Sequence, residues 1–469
     1  MMEGSNRTSI LMQSKAKDVP ALMFVIENME LMSAAGRRRM LEQPLLTETT
    51  QLNREQEIVA LLLERWKDPA MIKPITLLRH QLMQLHDLHT TLKNLATHTV
   101  LDEVELFEIK SLAYISGHAR KALEEMRLDK LIPVPDLQPV FDILDPDKTG
   151  ITSFYIYDSY DIRLRALRKQ MKGADDVQMS ELLSVQNEIQ IQVQRRLCDE
   201  LQPYAKTLST AMELMAYTDF AVARADLARK WGLVRPKEED DKIYLHGLFN
   251  PRLRDHNEKH HLRYQPVDIE LIQGVTFVTG ANMAGKTVLL KSVGVAQLMY
   301  QFGFPIPAVS AHLEPVDDVI FCIGDEQNEM NGLSSYAAEI TRISEIIERS
   351  KTEHLLVLID EPARTTNPIE GKALVQSIAT LMENRNSTTM ITTHYSQLGI
   401  ECRKLRVRGF VDTLVNMPLS AQNINFFIDY SLVTDDSDEV PHEALRIAEM
   451  LKCDEELIET AKRFLLPCN

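Results

Sequence analysis

The 469-residue chain has 44% hydrophobic and 26% charged residues, a composition typical of globular proteins that excludes disordered and fibrous classes. Its formal net charge of −16 leaves no basic surplus for general binding to nucleic-acid phosphates. The five cysteines form no CxxC pair, so the sequence predicts neither a disulfide framework nor a zinc site.

The first residues lack the apolar core of a signal peptide, and no apolar run reaches the roughly 18 residues that a membrane span needs. We therefore expect a cytoplasmic protein with no membrane partner. The length allows two or three domains. The one tight basic run, Arg37 to Arg39, is interpreted as a solvated helix face.

The N-terminal half of the chain has a helical pattern, divided into a segment at residues 1–60 and an all-α domain at residues 61–236. Within the domain, one apolar stripe repeats every four residues and so marks one face of a helix: Val185, Ile189, Val193, Leu197 and Leu201. Pro203 suits the first turn of a second helix that runs from about Tyr204 to Lys230. We expect the two helices to form a long pair.

A proline and a charge run at residues 235–242 mark a domain boundary. The sequence pattern of residues 243–430 differs from that of the helical region. Short β-rich runs alternate there with helical stretches: strands at 275–279, 355–359 and 388–392, and helices at 287–301, 335–350 and 370–383. This alternation predicts an α/β domain with a mostly parallel sheet. The cluster His256, His260 and His261 is interpreted as a solvated loop. The tail after Pro441 returns to helix, and residues 431–469 are expected to form a C-terminal helical segment.

Residues 280–287 read GANMAGKT at the end of a predicted strand and fit the phosphate-binding pattern G-x-x-x-x-G-K-T. Gly280 and Gly285 let backbone N–H groups face phosphates, and the following helix adds the positive end of its dipole. We expect Lys286 to reach the β- and γ-phosphates of ATP and Thr287 to offer its hydroxyl to Mg²⁺. The predicted nucleotide-binding residues are Gly280, Ala281, Asn282, Met283, Ala284, Gly285, Lys286, Thr287 and Val288.

Acidic and imidazole side chains follow two further predicted strands. HLLVLIDE ends in Asp360, which is expected to hold the magnesium shell, and in Glu361, which is expected to orient or deprotonate the attacking water. His394, in the TTHY segment, is expected to touch the γ-phosphate. Ser334 and Ser335 precede a helix, where they are either N-caps or an anion site offered to ATP on a neighbouring subunit.

Four segments, GANMAGKT, IGDEQNEMNGLSSYAAEI, LVLIDEPARTTNPIEG and TTHY, together resemble the ATPase domain of the MutS family in their order and spacing. The resemblance implies an ABC-like P-loop ATPase domain, an all-α core and lever before it, and a C-terminal helical dimerisation segment. It also implies a homodimer with two composite ATP sites, in which Ser334 and Ser335 act across the interface. By the same resemblance, Glu361, His394 and Lys286 are catalytic, and Tyr264 faces the adenine.

The chain also departs from the family pattern. Few residues precede the helical region, and Leu164 to Leu201 leads straight into the next helix. We therefore expect the mismatch-reading domain and the inserted clamp domain to be missing. Pro362, Arg364 and Thr365 stand where mismatch-repair members have a glycine-rich turn, which indicates a divergent branch.

Three functions remain open at this point. The first is a DNA-associated MutS-type ATPase, in mismatch repair or on other DNA structures. The second is an ATP-driven remodelling factor for a protein partner, since DEPARTTNPIEG and LDPDKTGITSFYIYDSY resemble the ATPase that reactivates adenosylcobalamin-dependent lysine aminomutase. The third is a structural ATP-binding dimer of low turnover. The acidic charge and the missing DNA-reading parts favour a metabolic enzyme as partner over direct mismatch reading.

Overall fold

The structure is a computed structural model. In it the chain forms two compact units. It describes residues 9–238, 242–280, 285–323, 335–395, 397–410, 427–435, 445, 448–449 and 453–465. One unit combines Met1–Asn28, Pro44–Gln56 and Ala228–Asn469, and the other combines Met29–Gln43 and Glu57–Leu227. Among the described residues, none of the helices has both the length and the apolar character that a bilayer crossing requires.

Helices dominate the N-terminal half of the chain, as the sequence predicts. In chain order they are α1 (Met12–Asp18), α2 (Pro20–Glu27), α3 (Ala34–Leu41), α4 (Thr49–Lys67), α5 (Ile72–Met83), α6 (His89–Ala96), α7 (Glu103–Glu125), α8 (Gln138–Leu144), α9 (Ile162–Met171), α10 (Asp176–Leu201) and α11 (Ala205–Trp231). Leucines, isoleucines and alanines of α5, α7, α10 and α11 form a continuous apolar core in the helical unit.

The predicted long helix pair is confirmed as α10 and α11. A capping box between Asp175 and Gln178 begins α10, and Pro203 lies in a short 3-10 turn just before α11. The last four residues of the apolar stripe, from Ile189 to Leu201, are buried, but Val185 is 44% exposed. The helical face predicted from the stripe therefore packs only from Ile189 onwards, because side chains in the N-terminal half of α10 are largely exposed or half-buried.

The basic run on α3 is only partly a solvated face. Arg37 is exposed, as expected. Arg38 instead forms an ion pair with Asp87, 3.0 Å away, and Arg39 donates a 2.7 Å hydrogen bond to Gln43. Two of the three guanidinium groups therefore have partners within the same unit, and the Arg38 ion pair connects α3 to the segment before α6.

A buried ammonium group organises the loop after α8. Lys110 is fully buried, and its Nζ donates to Asp145 Oδ1 at 3.1 Å, to the Ser153 carbonyl at 2.9 Å and to the Tyr157 hydroxyl at 3.1 Å. Burial alone would raise the pKa of Asp145. Hydrogen bonds from Thr149, the Gly150 N–H and Lys110 outweigh burial and lower this pKa from 3.8 to about 2.

Replacing Lys110 by Met is expected to lower the free energy of unfolding by about 3 kcal/mol, because the Asp145 carboxylate then stays buried without its cation. Urea unfolding at neutral pH measures this change. Lys121→Met, at an exposed site on the same helix, is the matched control and should be nearly neutral.

The same pair predicts an acid dependence. Because the folded pKa of Asp145 lies below its usual value of 3.8, its ionised form stabilises the fold fully above about pH 4, and that contribution is lost as the pH falls to about 2. Lys110→Met should flatten this part of the stability curve. An identical pH dependence in the variant and the wild type would contradict the role of the pair.

The other unit is built on two β-sheets. Besides α1, α2 and the start of α4, this unit contains β1 (Lys237–Glu238), β2 (Lys242–Leu248), α12 (Pro251–Lys259), β3 (Val267–Ile272), β4 (Gly274–Thr279), α13 (Lys286–Gln301), β5 (Ser310–Leu313), β6 (Asp318–Ile323), α14 (Ser335–Arg349), β7 (Leu355–Asp360), α15 (Pro368–Glu383), β8 (Ser387–Thr392), β9 (Arg403–Phe410), β10 (Ile428–Thr434) and α16 (Glu455–Leu465). The smaller sheet has the order β1-β5-β2-β3.

The larger sheet has the order β10-β9-β4-β8-β7-β6, in which every pairing is parallel except that of β10 with β9. Strands β4 and β8 are buried along their whole length, as is typical of parallel strands covered on both faces. The predicted mostly parallel sheet with flanking helices is therefore confirmed. Because β4, β7 and β8 are parallel, their carboxyl ends meet at one edge of the sheet.

Helix α13 lies unusually close to the sheet at Gly294. A Cβ atom added there would lie 2.3 Å from the Phe321 ring and 2.6 Å from Leu358 Cδ1. No side chain fits in this space, so glycine fixes how closely α13 packs on β6 and β7.

The histidine cluster corrects one prediction. His256 lies within α12 and His260 caps its C-terminus, so a loop was the wrong interpretation. The helix begins at Asn250, whose side chain accepts a hydrogen bond from the Leu253 N–H, with Pro251 in the first turn. This start signal was present in the sequence and was outweighed by the polar composition.

Candidate functional site

Two glycines in positive-φ conformations flank the predicted phosphate loop between β4 and α13. Gly280 has φ 141° and Gly285 has φ 77°. A Cβ atom at Gly285 would also lie 3.1 Å from the Tyr430 ring. Glycine is therefore required at the start of α13, both for the backbone conformation and for space. The predicted site residues Ala281, Asn282, Met283 and Ala284 lie outside the described residues.

The Lys286 side chain folds back across the loop. Its Nζ donates a 2.8 Å hydrogen bond to the Gly280 carbonyl and lies 3.5 Å from Glu361 Oε1. The side chain is 5% exposed. The structure therefore brings the predicted phosphate-binding cation and the predicted catalytic acid together.

Thr287, in the first turn of α13, contacts Asp360 at the end of β7. The Thr287 hydroxyl donates to Asp360 Oδ2 at 2.8 Å, and the Thr392 hydroxyl donates to Asp360 Oδ1 at 2.5 Å. Hydroxyl and carboxylate oxygens are the ligand types that Mg²⁺ prefers, and Mg²⁺ commonly takes only one or two protein ligands beside substrate phosphates. The pair fits such a site. In the described part of the chain, no three His, Cys, Asp or Glu side chains gather into a metal cluster.

The backbone at Glu361 is strained. Its φ is 45°, a left-handed conformation that side chains other than glycine seldom adopt, and such a residue costs about 1–3 kcal/mol. The Glu361 N–H is held by the Thr392 carbonyl at 3.1 Å and hydroxyl at 3.0 Å. Its carboxylate lies between Lys286 and Arg364, whose Nη1 donates to Glu361 Oε2 at 3.4 Å. Two cations therefore fix this acid.

His394 is not brought into this group. Its ring is exposed and lies against the Tyr395 ring, with the centroids 4.5 Å apart. Among the described residues it has no hydrogen bond or ion pair. Its proposed contact with a γ-phosphate rests on sequence alone.

An aromatic cavity of about 220 Å³ adjoins the phosphate loop. Tyr264 and Tyr430 line it, together with Gly285, Val288 and Leu253. The Tyr264 hydroxyl accepts a 2.7 Å hydrogen bond from the Asn250 N–H, and burial raises the pKa of Tyr264. Tyr264 and Val288, both predicted to bind nucleotide, thus lie beside a space for a flat apolar group.

Sequence reasoning missed two contributors to the site. Thr392 ties Asp360 to the Glu361 backbone, yet in the TTHY segment only His394 had been assigned a role. Tyr430 reaches the cavity from β10, far along the chain, and no motif marks it. Its N–H donates to Gln265 Oε1 at 3.4 Å, which links β10 to the segment before β3.

The serine segment is described only in part. Ser334 lies outside the described residues, and Ser335 begins α14, with its side chain outside the described part of the structure.

Comparison with known proteins matches residues 276–467 to the family described as MutS domain V. An endonuclease MutS2 from Agathobacter rectalis is 35% identical over 207 residues, which are 44% of this chain and 25% of that protein. An endonuclease MutS2 from Thermus thermophilus is 35% identical over 260 residues, which are 55% of this chain and 32% of that protein. The DNA mismatch repair protein MutS from Thermus aquaticus is 30% identical over 194 residues, 41% of this chain and 23% of that protein.

The alignments thus span only about a quarter to a third of the length of these relatives. The family match at residues 276–467 includes Lys286, Thr287, Asp360 and Glu361. It does not extend to the helical region before residue 276.

Proposed function

The chain belongs to the MutS family of ATPases, and from this premise we propose that it binds and hydrolyses Mg-ATP in a dimer and couples hydrolysis to movement of its helical levers. One observation supports ATP chemistry above the others. Lys286, Thr287, Asp360 and Glu361 converge at the carboxyl edge of a parallel sheet, beside a glycine-bounded loop and a helix N-terminus.

Each of the four side chains has a separate proposed role in ATP hydrolysis. Lys286 exchanges its bond to the Gly280 carbonyl for the β- and γ-phosphates, which also releases Glu361. Glu361 then orients the attacking water and accepts its proton. Thr287 and Asp360 would hold Mg²⁺, which would supply positive charge to offset the negative charge developing on the phosphates during hydrolysis.

We propose that the adenine binds in the aromatic cavity. Tyr264 and Tyr430 offer ring surfaces there, and Val288 connects the cavity to the phosphate loop. His394 is assigned to sensing the γ-phosphate from the end of β8. The remaining loop residues, Asn282 among them, are assigned to phosphate contacts.

The dimer is proposed from the family resemblance, with Ser334 and Ser335 completing the ATP site of the partner subunit. One described feature supports an interface near the C-terminus. On α16, Leu457 is 65% exposed and Phe464 is 86% exposed. Large apolar side chains exposed on an amphipathic helix suit burial against another chain. The domain boundary expected at residue 430 falls inside β10, which pairs with β9, so the ATPase domain is extended through Thr434. The dimerisation segment is accordingly proposed within the residues that follow β10, up to residue 469.

The partner is proposed to be a protein, with DNA as the second candidate. The net charge of −16 opposes a large phosphate-contacting surface. DNA is the second candidate because one similar protein, from Thermus aquaticus, is named for DNA mismatch repair. A cobalamin-dependent metabolic enzyme is the partner that the sequence resemblance suggests, and a cytoplasmic location fits either partner.

ATPase activity in the presence of each candidate tests the choice. With a protein partner, turnover should rise with that protein and stay unchanged when duplex DNA is added at low salt. With a DNA partner, stimulation should instead fall steeply between about 50 and 200 mM salt, because each phosphate contact releases counterions. DNA stimulation with that salt dependence would contradict the protein partner.

A further inference from the structure

Helix α14 is linked to the catalytic loop by one side chain. Glu339, one turn into α14, accepts a hydrogen bond on Oε1 from the Ala363 N–H at 3.2 Å. Ala363 lies two residues after Glu361. The helix that follows the serine segment therefore contacts the loop that carries the catalytic acid.

That loop is strained at two neighbouring positions and needs anchors. Glu361 has φ 45° and Ala363 has φ 60°, and neither is glycine. The structure must hold such conformations in place by other contacts. Thr392 anchors the loop at the Glu361 N–H, and Glu339 anchors it at the Ala363 N–H.

Water is a poor substitute for the Glu339 anchor. Ala363 is fully buried, and α15 packs against it so closely that a Cβ atom at Gly371 would lie 3.0 Å from the Ala363 carbonyl. A buried N–H without an acceptor is costly, so the loop would shift if the acceptor were lost.

The charges around Glu339 are consistent with an anchor. Burial raises the pKa of the Glu339 carboxyl, and the Ala363 hydrogen bond and the Arg364 charge offset part of that rise. Arg364 also donates to Glu361. One guanidinium therefore acts on both carboxylates, the one that anchors the loop and the one that activates water.

We propose that Glu339 is a positioning residue for hydrolysis, which holds the strained loop so that the Glu361 carboxylate stays aimed at the attacking water. It does so from α14, and movement of α14 is thereby coupled to the rate of the chemical step. This proposal rests on the proposed ATPase function and assigns a regulatory contact to the same site.

The test compares Glu339→Met, which keeps the side-chain length without an acceptor, with Glu339→Gln, which keeps an acceptor oxygen. Glu339→Met should lower kcat about tenfold or more and leave the Kd for Mg-ATP within about twofold, because a small misplacement of a catalytic group slows chemistry more than binding. Glu339→Gln should retain most of kcat. Glu345→Met and Glu345→Gln, at an exposed site on the same helix, are matched controls.

Wild-type kcat in Glu339→Met would overturn the proposal, as would an equal loss of kcat in both Glu339 variants. Amide hydrogen exchange of nucleotide-free wild-type protein provides a check without any variant. The Ala363 amide should exchange slowly, and exchange at the unprotected rate would also overturn the proposal. A wild-type protein without ATPase activity would refute the proposed function itself, and this inference with it.

Discussion

Lys286→Ala is expected to weaken Mg-ATP binding by about 100-fold, a loss of about 3 kcal/mol from charge-assisted contacts to the phosphates. The Lys286 ammonium donates a 2.8 Å hydrogen bond to the Gly280 carbonyl, and no other described lysine bonds there. Equilibrium titration with a fluorescent ATP analogue measures the change.

Lys291→Ala is the matched control for this variant. Lys291 lies on the same helix, is half-buried, and has no ion pair or hydrogen bond among the described residues. Its loss should leave the affinity within about twofold. Unchanged nucleotide affinity in Lys286→Ala would remove this loop from the proposed site.

Glu361→Gln has the second large expected effect, and it falls on turnover. The variant keeps the shape of the side chain but cannot accept the proton of water, so kcat should fall by about 10²–10⁴-fold while Mg-ATP binding persists. Binding without hydrolysis should trap the closed dimer, which size-exclusion chromatography with Mg-ATP detects.

Glu370→Gln, at an exposed position in the first turn of α15, is the control for charge loss near the site and should turn over normally. Normal turnover in Glu361→Gln would assign water activation to another group. A second variant, Arg364→Gln, removes the ion pair with Glu361 at 3.4 Å. Its kcat shows whether that ion pair contributes to turnover.

The sequence was most informative where local patterns decide the structure. Strand β4 is apolar on both faces and stops at Gly280, so a buried parallel strand and the loop after it could be predicted together. The same applies to β7, which ends in Asp360. Because β4 and β7 are parallel, the start of α13 after β4 and the carboxyl end of β7 lie at one edge of the sheet, which is where Thr287 contacts Asp360.

Contacts between distant segments could not be predicted in this way. Tyr430 reaches the cavity because β10 adds to the sheet in antiparallel fashion, and Gln265 fixes the connection. Glu339 looks like one more polar residue on an amphipathic helix until its distance to Ala363 is known. These roles depend on packing, for which a single sequence carries no periodic signal.

In the helical half of the chain, the sequence pattern did not predict which side chains are buried. Lys110 lies on a helix where lysine usually indicates exposure, but an aspartate, a carbonyl and a tyrosine hydroxyl surround its ammonium group. Val185 fits the four-residue stripe and is nevertheless exposed, because the periodicity of a helix continues beyond the part that packs.

In the proposed dimer, one triphosphate is held between two copies of the chain. Sedimentation velocity of the wild-type protein with saturating Mg-ATP, paired with ATPase assays at the same protein concentrations, tests this arrangement. We expect a shift from monomer to dimer as nucleotide saturates, with turnover per subunit rising in step with the dimer fraction. A protein that stays monomeric while hydrolysing ATP at its full rate would rule out the shared site.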